Sequence, residues 1–122
     1  MNTMTRRMVE KERCGIIMDD EIIEIENIAT NDHEFICDYI KLYSILKDRG
    51  VEKLKALFHT HLSGICYPSE KDIENMNVWK EPWIIVGRNC IEGFILHGSV
   101  VKIDVNSFLS QELYDRLVKL LH

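Results

Sequence analysis

Two histidines one residue apart, His59 and His61, are followed after seven residues by Ser69, and three positions later by Asp72. Two imidazoles and a carboxylate are the donor set of a hydrolytic zinc site, which uses three protein ligands and keeps a position open for water. Leu54 to Phe58 is apolar with one polar break and predicts a buried strand running into the histidines. Side chains two apart on a strand share a face, so His59 and His61 converge. After the loop Leu62 to Pro68, Ser69 is placed as the N-cap of a helix with Asp72 in its first turn, where a carboxylate can turn back toward the strand end. Ser-x-x-Asp is also ordinary helix capping, and a lone His-x-His suits a structural or surface role. The conjunction of all four positions at a strand-to-helix junction favours the metal.

The string His59-x-His61-x7-Ser69-x-x-Asp72 resembles the signature of the JAMM (MPN-plus) zinc metallopeptidases, whose members also carry an upstream glutamate in a Glu-x-x-Gly context. Here Glu12-Arg-Cys-Gly15 stands in that place. The resemblance runs from about residue 5 to about residue 105. It implies one Zn²⁺ held by His59, His61 and Asp72, with Glu12 as general base and Ser69 assisting the oxyanion. It also implies amide hydrolysis by a zinc-activated water. The sequence departs from the family at Leu62, where proline is common after the second histidine, and before Glu12, where Val-Glu-Lys replaces a nearby proline. These departures bear on loop shape and substrate fit. On its own, Glu12 in a charged segment would be a solvated surface acid; the downstream motif singles it out.

The elements that must carry these residues follow an α/β order. A short polar helix is predicted over about residues 4 to 12, then a strand from Arg13 to Met18 and a turn at Asp19-Asp20. A half-exposed strand from Ile22 to Ile28 completes a hairpin. Phe35, Ile36, Tyr39, Ile40, Leu42, Tyr43 and Leu46 recur at helical spacing as a core stripe that stops at Arg49-Gly50. Beyond the zinc helix, Ser69 to about Val78, come a buried strand over Pro82 to Gly87 and a hairpin of Cys90–Leu96 with Ser99–Val105. A final helix from Ser110 to Leu121 has Leu113, Leu117, Leu120 and Leu121 on one side, suited to docking on the sheet or on a partner. The resemblance supplies the arrangement: a mixed, curved β-sheet flanked by helices, of JAMM/MPN-like, cytidine deaminase-like architecture.

With 122 residues, 46% of them hydrophobic, no internal repeats and two prolines, residues 1–122 are expected to form a single domain. No apolar run is long enough to span a membrane, and the first residues lack a signal-peptide pattern, so a reducing cytoplasm is expected. A net charge of −5 with scattered basic residues argues against nucleic acid as partner. Cys14, Cys37, Cys66 and Cys90 show no C-x-x-C or framework spacing and are expected as free thiols, mostly buried. Cys66 stands apart, because it lies between the zinc ligands and a thiolate can bind zinc. His33, His97 and His122 have no partners at ligand spacing.

The expected partner is a protein or peptide substrate. Pro68-Ser-Glu-Lys-Asp72 followed by Glu81-Pro-Trp83 is similar to the JAMM half of lambda K-type phage tail-assembly proteins, which continue into a cysteine-peptidase domain. That similarity implies a peptidase of phage tail assembly, in the host cytoplasm or associated with the virion. The other peptidase reading is an enzyme processing a ubiquitin-like sulfur-carrier protein. A third is a non-catalytic MPN interaction module, whose metal would be closed by a fourth protein ligand such as Cys66.

Overall fold

The structure is a computed structural model that describes residues 12–28, 37–62 and 65–121. The polar helix expected over residues 4 to 12 lies outside the described residues, apart from Glu12. Two strands open the described chain, β1 (Cys14–Met18) and β2 (Glu21–Ile25). Helix α1 (Tyr39–Arg49) leads into β3 (Leu54–Thr60), and α2 (Glu70–Val78) leads into β4 (Trp83–Val86). A hairpin of β5 (Ile91–His97) and β6 (Ser99–Ile103) precedes α3 (Gln111–Val118). The strands form one open sheet in the order β2–β1–β3–β4–β5–β6. Among the described strands only the neighbours β3 and β4 are parallel; the other pairs are antiparallel. The expected mixed sheet with flanking helices is therefore present.

Alternation along the strands divides the core in two. Ile16, Leu57, Trp83 and Ile85 point to the face covered by α1 and α2, where Leu42, Leu46 and Met76 pack against them. Ile17, Phe58, Ile84 and Val86 point to the other face, where α3 lays Leu113 and Leu117. The run of apolar residues in β1, β3 and β4 thus reflects burial on both faces. The C-terminal helix docks on the sheet, with Leu121 buried in the same cluster.

Gly15 shows how tightly this sandwich closes. A β-carbon there would lie 2.3 Å from the Ile23 carbonyl oxygen and 2.6 Å from the Phe58 ring. The ring lies over the β1 backbone because Gly15 and Phe58 are register partners.

Three sequence expectations change. Strand β2 ends at Ile25 instead of Ile28, which is 48% exposed. Helix α1 is capped by Asp38, whose side chain accepts from the Lys41 amide, so its first turn begins at Tyr39; Phe35 and Ile36 lie outside the described residues. Within α1 the buried stripe narrows to Leu42 and Leu46, while Ile40 is 85% and Tyr43 59% exposed. On a 3.6-residue period 39, 42, 43 and 46 share one arc and Ile40 lies beyond its edge, and of that arc only Leu42 and Leu46 are buried against the sheet. Tyr43 instead rests on Trp79 with ring centroids 5.1 Å apart. The helix stops where expected, Gly50 taking a positive φ of 101° as its amide donates to the Leu46 carbonyl. No helix among the described residues is long and apolar enough to cross a membrane.

Candidate metal centre

Strand β3 carries His59 on its α1/α2 face, and the chain stays extended one step further because the His61 amide donates to the Val86 carbonyl at 2.9 Å. Both imidazoles therefore point the same way, as a two-residue spacing on a strand requires. Their Nε2 atoms lie 2.8 Å apart. Asp72 completes the group: its Oδ1 is 3.0 Å from His59 Nε2 and its Oδ2 is 3.0 Å from His61 Nε2. All three side chains are buried.

Asp72 reaches this point because α2 begins in front of the strand end. The Ser69 hydroxyl accepts from the Asp72 amide at 3.2 Å, and the Asp72 carboxylate accepts from the Ser69 amide at 2.7 Å. This reciprocal capping box satisfies two amides of the first turn. Capping and convergence are thus the same arrangement, and the two readings of Ser-x-x-Asp hold together. Ser69 itself is exposed, and its role as cap acceptor leaves the hydroxyl proton to donate elsewhere.

The donor set fits a metal. Two imidazole nitrogens and a carboxylate oxygen meet at one point. At zinc–nitrogen distances of about 2.0–2.1 Å, tetrahedral ligands stand about 3.3 Å apart, so these would part only slightly to admit an ion. The outer support is also present. His61 Nδ1 donates to the Ile65 carbonyl at 2.7 Å, so Nε2 is the nitrogen turned to Asp72 and, once it gives up its proton, the one that can bind an ion. Trp83 walls His59 with an edge contact, ring centroids 6.2 Å apart, and is held by its own Nε1 donating to the Trp79 carbonyl at 2.8 Å.

Electrostatics follow from this packing. Burial works against the charged form of Asp72, but hydrogen bonds from His59 and His61, the charge of His59 and the Ser69 amide outweigh it, holding the carboxyl far below the usual carboxylate range. For His61, burial pulls the pKa down. The bonds to Asp72 and the Ile65 carbonyl, with the charges of Asp72 and Glu12, carry it above its ordinary value. Tyr39 is pushed up to about 12, first by burial and then by the Asp72 charge.

Glu12 comes to the centre through β1. The Arg13 amide donates to Thr60 Oγ1 at 2.8 Å, and the Thr60 amide donates to the Arg13 carbonyl at 2.9 Å, so the β1–β3 ladder continues beyond Cys14. The Glu12 carbonyl accepts from Asn27 Nδ2 at 2.9 Å. Glu12 is half-buried there, and its carboxylate acts on His61 through space. The five residues singled out in the sequence are therefore brought to one end of β3.

The cysteines differ from expectation. Cys14 is bonded to Cys37 and Cys66 to Cys90, so the expected free thiols are corrected to two disulfides. The first closes over the β1–β2 hairpin and the second ties the loop before α2 to the β4–β5 turn. Both pairings bridge segments adjacent only in three dimensions, which spacing along the chain does not reveal. Cys66, with its sulfur in a disulfide, is not a metal ligand here. His97 is exposed at the end of β5; His33 and His122 lie outside the described residues.

Sequence reasoning passed over Thr60, whose hydroxyl anchors the Glu12 segment from the opposite face of the sheet. Its position between the two histidines was the available signal. The Ile65 carbonyl carried no signal, because a backbone acceptor has no residue signature.

Neither a family model nor a curated protein matches the chain. The solution structure of protein DSY2949 from Desulfitobacterium hafniense is similar, with a TM-score of 0.60 at 15% identity, over 77% of this chain and 76% of that one. Similarity at that identity speaks for the fold alone.

Proposed function

We propose that the chain is a zinc-dependent peptidase or isopeptidase of the JAMM type. The observation that carries this reading is the convergence of His59, His61 and Asp72 at 2.8–3.0 Å, beside which the pairing of Arg13 with Thr60 brings the Glu12 segment. A zinc ion held there supplies Lewis acidity, lowering the pKa of a coordinated water to about 7. Glu12 accepts the proton of the attacking water as the amide carbon–oxygen bond forms. It returns that proton to the nitrogen as the carbon–nitrogen bond breaks. The Ser69 hydroxyl donates to the carbonyl oxygen as negative charge develops there, while His59, His61 and Asp72 keep the centre fixed. With Cys66 engaged by Cys90, closure of the centre by that thiolate is not available, which favours the catalyst over the non-catalytic module.

The substrate is a protein or peptide. Phage tail assembly remains the preferred setting, with C-terminal processing of a ubiquitin-like sulfur carrier as the other. The Pro82-Trp83 similarity bears on site architecture more than on substrate, since Trp83 is the wall behind His59. The test is a zinc-loaded preparation assayed on peptide and ubiquitin-fold substrates. Glu12→Gln is expected to keep one zinc per chain while turnover falls by about 10²–10⁴-fold, the usual worth of a general acid–base residue. His61→Ala is expected to lose the zinc. Undiminished turnover in Glu12→Gln would remove the proposed mechanism.

A further inference from the structure

We infer that the Cys66–Cys90 disulfide is a redox-labile clasp that positions His61, so that the thiol–disulfide state of this pair sets the affinity of the centre for metal. The inference rests on the metal-centre reading above and adds a control to it.

The clasp closes a ring of contacts around one ligand. His61 Nδ1 donates to the Ile65 carbonyl at 2.7 Å, and Ile65 precedes Cys66. Cys66 is bonded to Cys90 in the turn from β4 to β5. The Gly87 amide donates to the Cys90 carbonyl at 2.8 Å, and Val86, next to Gly87, accepts the His61 amide at 2.9 Å. The circuit thus leaves His61 by its ring and returns by its backbone.

Described residues between β3 and α2 have no helix or strand to hold them. Ile65 is 65% exposed, and the segment is held to the sheet at Cys66, by the disulfide, and just beyond it, where Tyr67 meets Phe94 edge-on with ring centroids 5.5 Å apart and Pro68 is buried. Carbonyl acceptors of this kind orient the ring and fix the tautomer, and losing one typically weakens metal binding by about 10- to 100-fold. Cys66 is accordingly a positioning residue, acting on the metal through Ile65 and His61.

The two disulfides differ in access. Cys14 and Cys37 are 2% and 6% exposed, whereas Cys66 and Cys90 are half-buried. Thiol–disulfide exchange requires an attacking thiolate to reach a sulfur, so the clasp opens first. One thiolate of a dithiol reductant attacks Cys66 or Cys90, breaking the S–S bond and forming a mixed disulfide. The second thiol of the reductant then displaces the protein sulfur. Two electrons and two protons pass to the protein as two thiols, and the reductant leaves as its disulfide. Oxidised glutathione reverses the exchange.

The test measures zinc affinity by competition with a fluorescent chelator. The samples are the oxidised protein, protein reduced with dithiothreitol and gel-filtered without air, reduced protein reoxidised with glutathione disulfide, and Cys66→Ser/Cys90→Ser. Alkylation and peptide mapping after limited reduction identify the pair that opened. Expected are modification of Cys66 and Cys90 before Cys14 and Cys37, about 10- to 100-fold weaker zinc binding in the reduced and double-serine forms, and recovery on reoxidation. If the double-serine protein fails to fold, the reduced and reoxidised forms carry the comparison. Equal affinity in oxidised and reduced protein overturns the clasp and leaves the metal centre standing, as does prior opening of Cys14–Cys37. Absence of zinc binding in the oxidised protein overturns both.

Discussion

Asp72 serves as helix cap and as partner of two imidazoles, and the proton balance of the centre follows from that double use. Its carboxyl titrates below the usual range, so its contribution to stability is present above the unfolded value of about 3.9 and is lost as pH falls through the folded one. His61 is shifted the other way. Its contribution is complete below about pH 6.5 and fades as pH rises through the raised folded value. In chelated protein both apply from about pH 4 to 6.5. The melting-temperature difference between the wild type and Asp72→Asn is expected to be largest in that window and smaller on either side. A metal must displace the His61 proton, so zinc affinity is expected to climb across the same range and beyond it. Calorimetry in buffers of different ionisation enthalpy would count the proton released, and a count of zero would contradict the assignment of His61.

At the scale of elements, Ser69 separates two contributions. Ser69→Ala removes the hydroxyl that accepts from the Asp72 amide, and a lost cap costs about 1 kcal/mol in denaturant unfolding. If the same hydroxyl donates to the substrate carbonyl, kcat of the zinc-loaded variant also falls by about 10²–10³-fold with little change in KM. Stability loss without a fall in kcat would leave Ser69 a cap only. Gly15→Ala tests the β1–β3 contact, because the added methyl meets the Ile23 carbonyl and the Phe58 ring. Overpacking of this kind costs about 1–3 kcal/mol, read in the same unfolding experiment.

The strand-to-helix junction was legible because two rules act locally there: period two along β3 and capping at α2. The outward turn of Ile40 and Tyr43 was less legible, since composition alone could not tell which arc of an apolar helix meets the sheet. The disulfides were not legible at all. Cys14 and Cys37 are 23 positions apart and Cys66 and Cys90 are 24, separations that acquire meaning only once strands bring the sulfurs together.

Across the whole molecule, strand direction decides where the centre can be. Because β3 and β4 are parallel, both end at the same edge of the sheet, and the helix between them must begin at that edge. Ligands of open α/β sheets gather at such carboxyl ends. The sequence places the site at the junction of a strand and a helix, whereas the parallel pairing of β3 with β4 comes from the structure. The position of β1 beside β3, which delivers Glu12, depended on a pairing between distant segments that periodicity does not specify.

The capping box at α2 also bears on metal preference. One Asp72 oxygen already accepts a backbone N–H at the positive end of a helix, so part of its charge is spent before any cation arrives. A hard ion that relies on several full carboxylates finds a poor host here, while an ion that favours imidazole nitrogen keeps its two strongest donors. Zinc at about one hundred times its Kd is therefore expected to stabilise the fold by about 2.7 kcal/mol. Millimolar magnesium is expected to leave the melting temperature unchanged. Equal shifts from the two ions in a thermal melt would show that the carboxylate, not the histidine pair, governs which metal this edge accepts.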